Sequence, residues 1–220
     1  MKKVMLVTGA SRGIGSKVAI MAGARGYRVA VNYVKDQTSA QRVVKAIQSA
    51  GGEAIAIQAD VGDLNSVVRL FKEIDATWGR FDVLVNNAGM LSSFRVEDVT
   101  EEDLSQIFRT NVFSTYFCSR EAVRRMSTKH GGNGGAIVNL SSVAARLGGL
   151  GGGSGYAATK AAISTFTLAF AKEVGKEGIR VNAVSPGLIE TEIHNVHGGI
   201  TQMQELAKTA VPMARHGSAD

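Results

Sequence analysis

Short apolar runs recur along the chain, and each is followed by a longer stretch in which polar residues alternate with apolar ones. "VMLVTG", "RVAVNY", "AIAIQAD", "FDVLVNN", "GAIVNLSS" and "IRVNAVSPG" are rich in Val and Ile and apolar at nearly every position. That pattern predicts strands buried on both faces. "IGSKVAIMAGARG", "SAQRVVKAIQSAGG" and "LNSVVRLFKEIDATWG" carry helical spacing, and the second ends on a glycine stop. "EEDLSQIFRTNVFSTYFCSREAVRRM" reads as one long helix. Strand then helix, repeated six times, predicts an α/β domain: a doubly wound parallel sheet with helices on both faces and right-handed crossovers. No linker or shift of composition divides the chain, so residues 1–220 read as a single domain.

Two glycine-rich stretches interrupt the pattern. "HGGNGGA" reads as a surface loop. "LGGLGGGSG" lies between "NLSSVAA" and "YAATK", where it is either a passive connector or a functional loop at the sheet edge. The net charge is +6, but the basic residues are scattered, which argues against a nucleic-acid surface. No apolar run is long enough to span a bilayer, and "MKKVMLVTGA" reads as a buried strand rather than a leader. The single cysteine, Cys118, excludes an internal disulfide and a cysteine-rich metal site. Among Phe113, Tyr116 and Phe117 it reads as an inert core thiol, which fits a reducing, cytoplasmic setting. "HNVH" places His194 and His197 three apart without a carboxylate or thiol partner, so no metal site is expected.

The first strand runs into a helix through "VTGASRGIGSKVA". Gly9, Gly13 and Gly15 allow a tight turn and close approach of backbone N–H groups to a pyrophosphate, with the helix presenting its positive end. An ordinary tight turn is the alternative. At the end of the second strand, where a carboxylate would bind the ribose 2′-hydroxyl of NAD, the chain has Asn32 and Tyr33. Arg12 and Lys35 supply positive charge nearby, and Asp36 is expected to come too late to interfere. This pattern predicts NADP(H) over NAD(H). Further on, Tyr156 and Lys160 stand four apart, on one helical face. A phenol with an ordinary pKa near 10 is a poor base and a reluctant acid at neutral pH, and a nearby ammonium is expected to lower that pKa.

"TGASRGIG", "NNAG", Asn111, "NLSS", "YAATK" and "SPG", in that order, resemble the short-chain dehydrogenase/reductase family over nearly the whole chain. The resemblance is nearest to the branch of 3-oxoacyl-carrier-protein reductases and glucose dehydrogenase-like enzymes. It implies a Rossmann-type sheet and an oxidoreductase acting on CH–OH donors or the matching carbonyls. Tyr156 would be the acid/base, and Lys160 would bind the nicotinamide ribose and lower the phenol pKa. Ser142 would bond the substrate oxygen, with Ser141 the rival claimant, and Asn111 would hold a water leading to Lys160. Gly9, Ser11, Arg12, Gly13, Ile14, Gly15, Asn32 and Tyr33 would hold the phosphates and adenosine ribose. Asp60 and Val61 would meet the adenine; Asn87, Ala88 and Gly89 would line the cleft. Pro186, Gly187, Ile189 and Thr191 would flank the nicotinamide. Residues 190–210 would form a substrate lid, and Leu91 and Phe94 part of the pocket.

A homodimer or homotetramer would form through helices near 100–129 and 155–175. Family members usually continue past "VPMARHGSAD" with another helix and a seventh strand, so the chain reads as C-terminally truncated, with "IRVNAV" left as an exposed edge. The substrate is open: sugars, ketoacyl thioesters and small ketones all suit the motifs. A non-catalytic NADP(H)-binding sensor or scaffold on the same fold is the other reading of the chain. An epimerase or dehydratase would call for a different glycine spacing.

Overall fold

The computed structural model describes residues 2–149, 152–197 and 199–220. Six strands form one parallel sheet: β1 (Val4–Val7), β2 (Arg28–Tyr33), β3 (Glu53–Gln58), β4 (Val83–Asn86), β5 (Gly135–Leu140) and β6 (Ile179–Val184). Their spatial order is β3-β2-β1-β4-β5-β6. The order reverses between β1 and β4, which pair with Met5 opposite Val83 and Val7 opposite Val85. A crevice therefore opens beyond the carboxyl ends of these two strands.

Side-chain alternation sorts the core into two layers. Val4 and Leu6 of β1 join Phe71, Ile74, Cys118, Met126 and Phe170 on one face of the sheet. These come from α3 (Leu64–Trp78), α5 (Ser114–Met126) and α7 (Ser154–Val174). Met5 and Val7 point the other way, onto Ala19, Ala22, Val43 and Ile47 of α1 (Gly13–Ala24) and α2 (Gln37–Ser49). Continuous apolar strands are what a sheet covered on both sides requires. Cys118 lies fully inside, and burial, then the Glu121 carboxylate, pushes its thiol pKa up. Among the described residues β6 pairs only with β5, and it leaves Arg180, Asn182, Ala183 and Val184 exposed.

Local signals start the helices. The Asp36 and Asp63 carboxylates accept from Ser39 N and Ser66 N, at 2.9 and 2.8 Å, to cap α2 and α3. Thr100 and Asp103 form a reciprocal capping box at the start of α4 (Glu101–Phe108). The long helix expected over 101–126 is interrupted. Between α4 and α5, Arg109–Phe113 adopt a wider π-type turn, which carries the buried Asn111. After β5 come the short α6 (Ala144–Leu147) and then α7; α8 (Gly199–Ala210) follows β6. Among the described residues no helix is long and apolar enough to cross a membrane.

Candidate active site

A cavity of about 1010 Å³ lies over the β1/β4 crevice. Its first wall is the turn after β1. Gly9 and Gly13 take φ of +60° and +56°, open to glycine and strained for other residues. A Cβ on Gly9 would also be tight, lying 3.0 Å from Ala88 Cα. Asn87 Nδ2 donates to Thr8 O at 2.8 Å and Gly9 O at 3.1 Å, and Thr8 Oγ1 accepts from Asn87 N and Ala88 N at 3.0 and 2.9 Å. "TG" and "NNAG" thus form one welded unit. α1 begins at Gly13, with Arg12 at its N-cap and no acidic residue in its first turn. An anion is the ligand that such a helix start favours.

Gly9, Ser11, Arg12, Gly13, Ile14, Tyr33, Asp60, Val61, Asn87, Ala88, Gly89, Ser142, Tyr156, Lys160, Pro186, Gly187, Ile189 and Thr191 all line this cavity. Three expected site residues do not. Asn32 is fully buried; its Oδ1 accepts from Gly9 N at 3.1 Å and its Nδ2 donates to Ala59 O at 3.0 Å, so it braces the turn from beneath. Gly15 packs the helix onto the turn after β4, since a Cβ there would meet Asn87 Nδ2 at 2.4 Å. Asn111 is occupied by Met90, whose N–H it accepts at 2.8 Å and whose carbonyl it bonds at 3.0 Å, and by Thr159 Oγ1 at 3.0 Å. Asp36, expected to lie too far along, does line the cavity. Its carboxyl pKa is lowered chiefly by the Ser39 backbone N–H. Phe94 is turned away as well, against α7, where a Cβ on Gly155 would lie 2.4 Å from its ring. Leu91 does line the cavity.

The opposite wall carries the titratable groups. Successive residues at the end of β5 face opposite ways. Ser141 Oγ bonds Lys160 O at 2.9 Å and Ser164 Oγ at 2.7 Å, inside the protein. Ser142 opens to the cavity, its Oγ accepting from Ala144 N at 3.1 Å. Burial raises the Tyr156 pKa, and a hydrogen bond with Ser142 opposes that rise. Lys160 is only 5% exposed and donates to Leu140 O at 2.6 Å. Burial pushes its pKa down to about 8. The Lys160 ammonium lies 5.7 Å from the centre of the Tyr156 ring. The lowering of the phenol pKa expected from Lys160 is therefore replaced by a net rise, because desolvation of the phenol is the largest influence and Ser142 supplies the opposing bond.

Beneath this wall, Asn86 Nδ2 donates to Asn139 Oδ1 at 2.9 Å, and Asn139 Nδ2 donates to Thr167 Oγ1 at 2.9 Å. The network joins β4, β5 and α7 under the site. The third wall runs from Leu188 to Gly217, with Ile189 bridged to Gly217 in parallel. Leu206 and His194 face the cavity, whereas Met203 is buried in the packing of α8. His197 lies outside the residues whose side chains are described. The sequence reading missed Ser92, Val211 and Arg215, which also line the cavity. No motif marks them, and only the folded chain brings them to it.

The chain matches the short chain dehydrogenase family over residues 3–198. It belongs to that family. A relative from Escherichia coli K12, the uncharacterized oxidoreductase YgfF, is 47% identical over 218 residues, which span 99% of this chain and 88% of that protein. A probable tetrahydroxynaphthalene reductase from Zymoseptoria tritici is 38% identical, over 98% of this chain and 82% of the other. Among solved structures, a short chain dehydrogenase from Burkholderia cenocepacia in complex with NADP superimposes with a TM-score of 0.88 at 36% identity, covering 99% of this chain and 86% of that one. The chain is accordingly an oxidoreductase with a Rossmann-type parallel sheet.

Proposed function

We propose that the enzyme is an NADP(H)-dependent carbonyl reductase, the reverse reaction being alcohol oxidation, with Tyr156 as its acid/base. The observation that carries this reading is that Ser142, Tyr156 and Lys160 all open into the cavity that the glycine turn also lines, with the Lys160 ammonium 5.7 Å from the centre of the Tyr156 ring. A phenol is protonated at neutral pH and burial raises its pKa further, so Tyr156 enters a reduction with its proton in place. A reduced nicotinamide, when bound, supplies the hydride to the carbonyl carbon. Ser142 donates a hydrogen bond where charge grows on the carbonyl oxygen, and Tyr156 gives that oxygen its proton. Lys160, held by the Leu140 carbonyl, would offer its ammonium to the ribose of a bound nicotinamide.

Preference for the phosphorylated cofactor rests on the wall beside Tyr33. Arg12 and Lys35 line it. The Asp36 carboxylate there is committed to the start of α2. The NADP bound by the Burkholderia relative and the reductase name of the Zymoseptoria relative support the same reading. An assembly of two or four chains is part of the proposal: Phe113, Tyr116 and Leu168 are exposed on α5, α7 and the π-type turn.

The test is a panel of carbonyl compounds with the wild type and Tyr156→Phe, following oxidation of NADPH and NADH. Wild type turns over at least one carbonyl with a lower KM for NADPH than for NADH. Tyr156→Phe loses about 10³-fold or more in kcat while its NADPH affinity stays within a few-fold. Near wild-type turnover by the variant would remove the chemistry assigned to Tyr156 and favour a binding role for the fold.

A further inference from the structure

A second, smaller cavity of about 470 Å³ lies in the groove between α1 and α2. Ser11, Arg12, Gly13, Thr191 and Glu192 line both cavities, so the two meet at the glycine turn. Ser16 and Lys17 of α1 form one bank of the groove, and Ser39 and Arg42 of α2 form the other. Arg42 belongs to none of the sequence motifs and does not line the larger cavity.

Arg12 and Arg42 are exposed, and neither guanidinium has a hydrogen bond or salt bridge among the described residues. Both flank one group. Asp36 lines the larger cavity beside Tyr33. Its carboxyl pKa is held down first by Ser39, then by Arg42 and Arg12. Side chains of a helix lean toward its N-terminus, and residues three apart share a face. Arg42 therefore leans back over Ser39, toward the start of α2 and the rim of the cavity. The other charges of the groove are mostly engaged. Lys17 pairs with Asp220 at 2.6 Å, and Glu190 faces His216 at 3.6 Å. Asp36 caps α2 through Ser39 N. Two unpaired guanidiniums are left against one unpaired carboxylate, Glu192, and the balance favours an anion.

Resting on the NADP(H) reading above, we propose that Arg42 is a specificity-determining residue for the cofactor: its guanidinium reaches back over the first turn of α2 and, with Arg12, holds the 2′-phosphate. A guanidinium fork matches phosphate oxygens and forms charge-assisted bonds with them, whereas a ribose hydroxyl offers it no charge. NADH lacks the group that Arg42 would hold, so the residue acts on the choice between the two cofactors and leaves the reacting end of the cleft alone.

The experiment measures Kd for NADPH and for NADH, by nicotinamide fluorescence, on wild type, Arg42→Gln, Arg42→Lys and Lys45→Gln. Lys45 is exposed on the same helix and lines neither cavity, so its variant loses the same net charge without the contact. Wild type binds NADPH more tightly than NADH. Arg42→Gln weakens NADPH about tenfold and leaves NADH within about twofold. Arg42→Lys recovers part of the loss, and Lys45→Gln moves neither constant by more than about twofold. Added salt weakens NADPH binding more steeply in wild type than in Arg42→Gln. Unchanged NADPH affinity in Arg42→Gln would overturn the assignment. So would an equal loss for both cofactors, which marks a structural role, or an equal loss in Lys45→Gln, which marks net charge alone. In each of those cases a wild type that still prefers NADPH upholds the cofactor reading. A wild type that binds NADPH no more tightly than NADH would overturn both.

Discussion

The two walls that face each other across the cleft are built differently. On the β5/α7 side, Ser141, Ser142 and Lys160 are buried, and each is hydrogen-bonded to a neighbouring element or turn. The Asn86–Asn139–Thr167 chain ties the strands below to α7. On the Leu188–Gly217 side, Glu192, Ile193, Ala210 and Pro212 are exposed. That wall is joined at its ends by Glu190 N donating to Gly217 O at 2.9 Å and Gly217 N donating to Leu188 O at 2.8 Å. Proton transfer needs donor and acceptor fixed to within a fraction of an ångström, and buried, fully bonded groups provide that. A wall that only shapes the space for a substrate needs less. Buried polar bonds thus support the wall to which we assign the proton transfer.

The largest effect that would sharpen this contrast comes from Lys160→Met. Activity should fall about 10³-fold, while the fold gains stability. The Lys160 pKa drops from 10.5 in the unfolded chain to about 8 in the folded one. Between those values the unfolded state binds more protons, so wild-type stability rises with pH across that window and the full cost of the buried ammonium applies below it. Removing the ammonium at pH 7 recovers part of that cost, and the unpaired Leu140 carbonyl offsets some of it. The expected net gain is roughly 1–2 kcal/mol by denaturant unfolding. A less stable variant at pH 7 would mean that the Leu140 bond outweighs desolvation.

A smaller effect is expected from Asn32→Ala, which probes the cofactor wall. Gly9 N and the Ala59 carbonyl lose their partner inside the protein. The expected loss is about 2 kcal/mol, read as a Tm lower by about 4–8 °C. An unchanged Tm would show that the turn after β1 holds itself. The smallest effect is expected on the open wall. Leu206→Ala should raise the KM of an apolar substrate about five- to tenfold and leave kcat within twofold. A large loss of kcat there would mean that this wall also positions the reacting atoms, and the contrast would fail.

Periodicity in the sequence was enough to place six strands, because a strand covered on both faces has to be apolar, although β6, expected among them, leaves four of its six residues exposed. The glycine turn and the Tyr156–Lys160 pair were legible because their chemistry depends on local spacing. The direction in which a side chain points was not. Asn32 lies where a ribose contact was expected and instead supports Gly9 from below. Asp36 reaches the cavity although it follows the strand end by three residues, because α2 starts there. Ser141 and Ser142 are equivalent as letters and both line the cavity, but Ser141 Oγ is taken up by Lys160 O and Ser164 Oγ inside the protein. The wider turn at Arg109–Phe113 escaped the helical pattern because it changes the spacing of only a few residues. The sequence determined which groups this dehydrogenase has and how they are spaced along each element; packing between distant elements decided which of them face the cleft, how dry they are and therefore how readily they hold a proton.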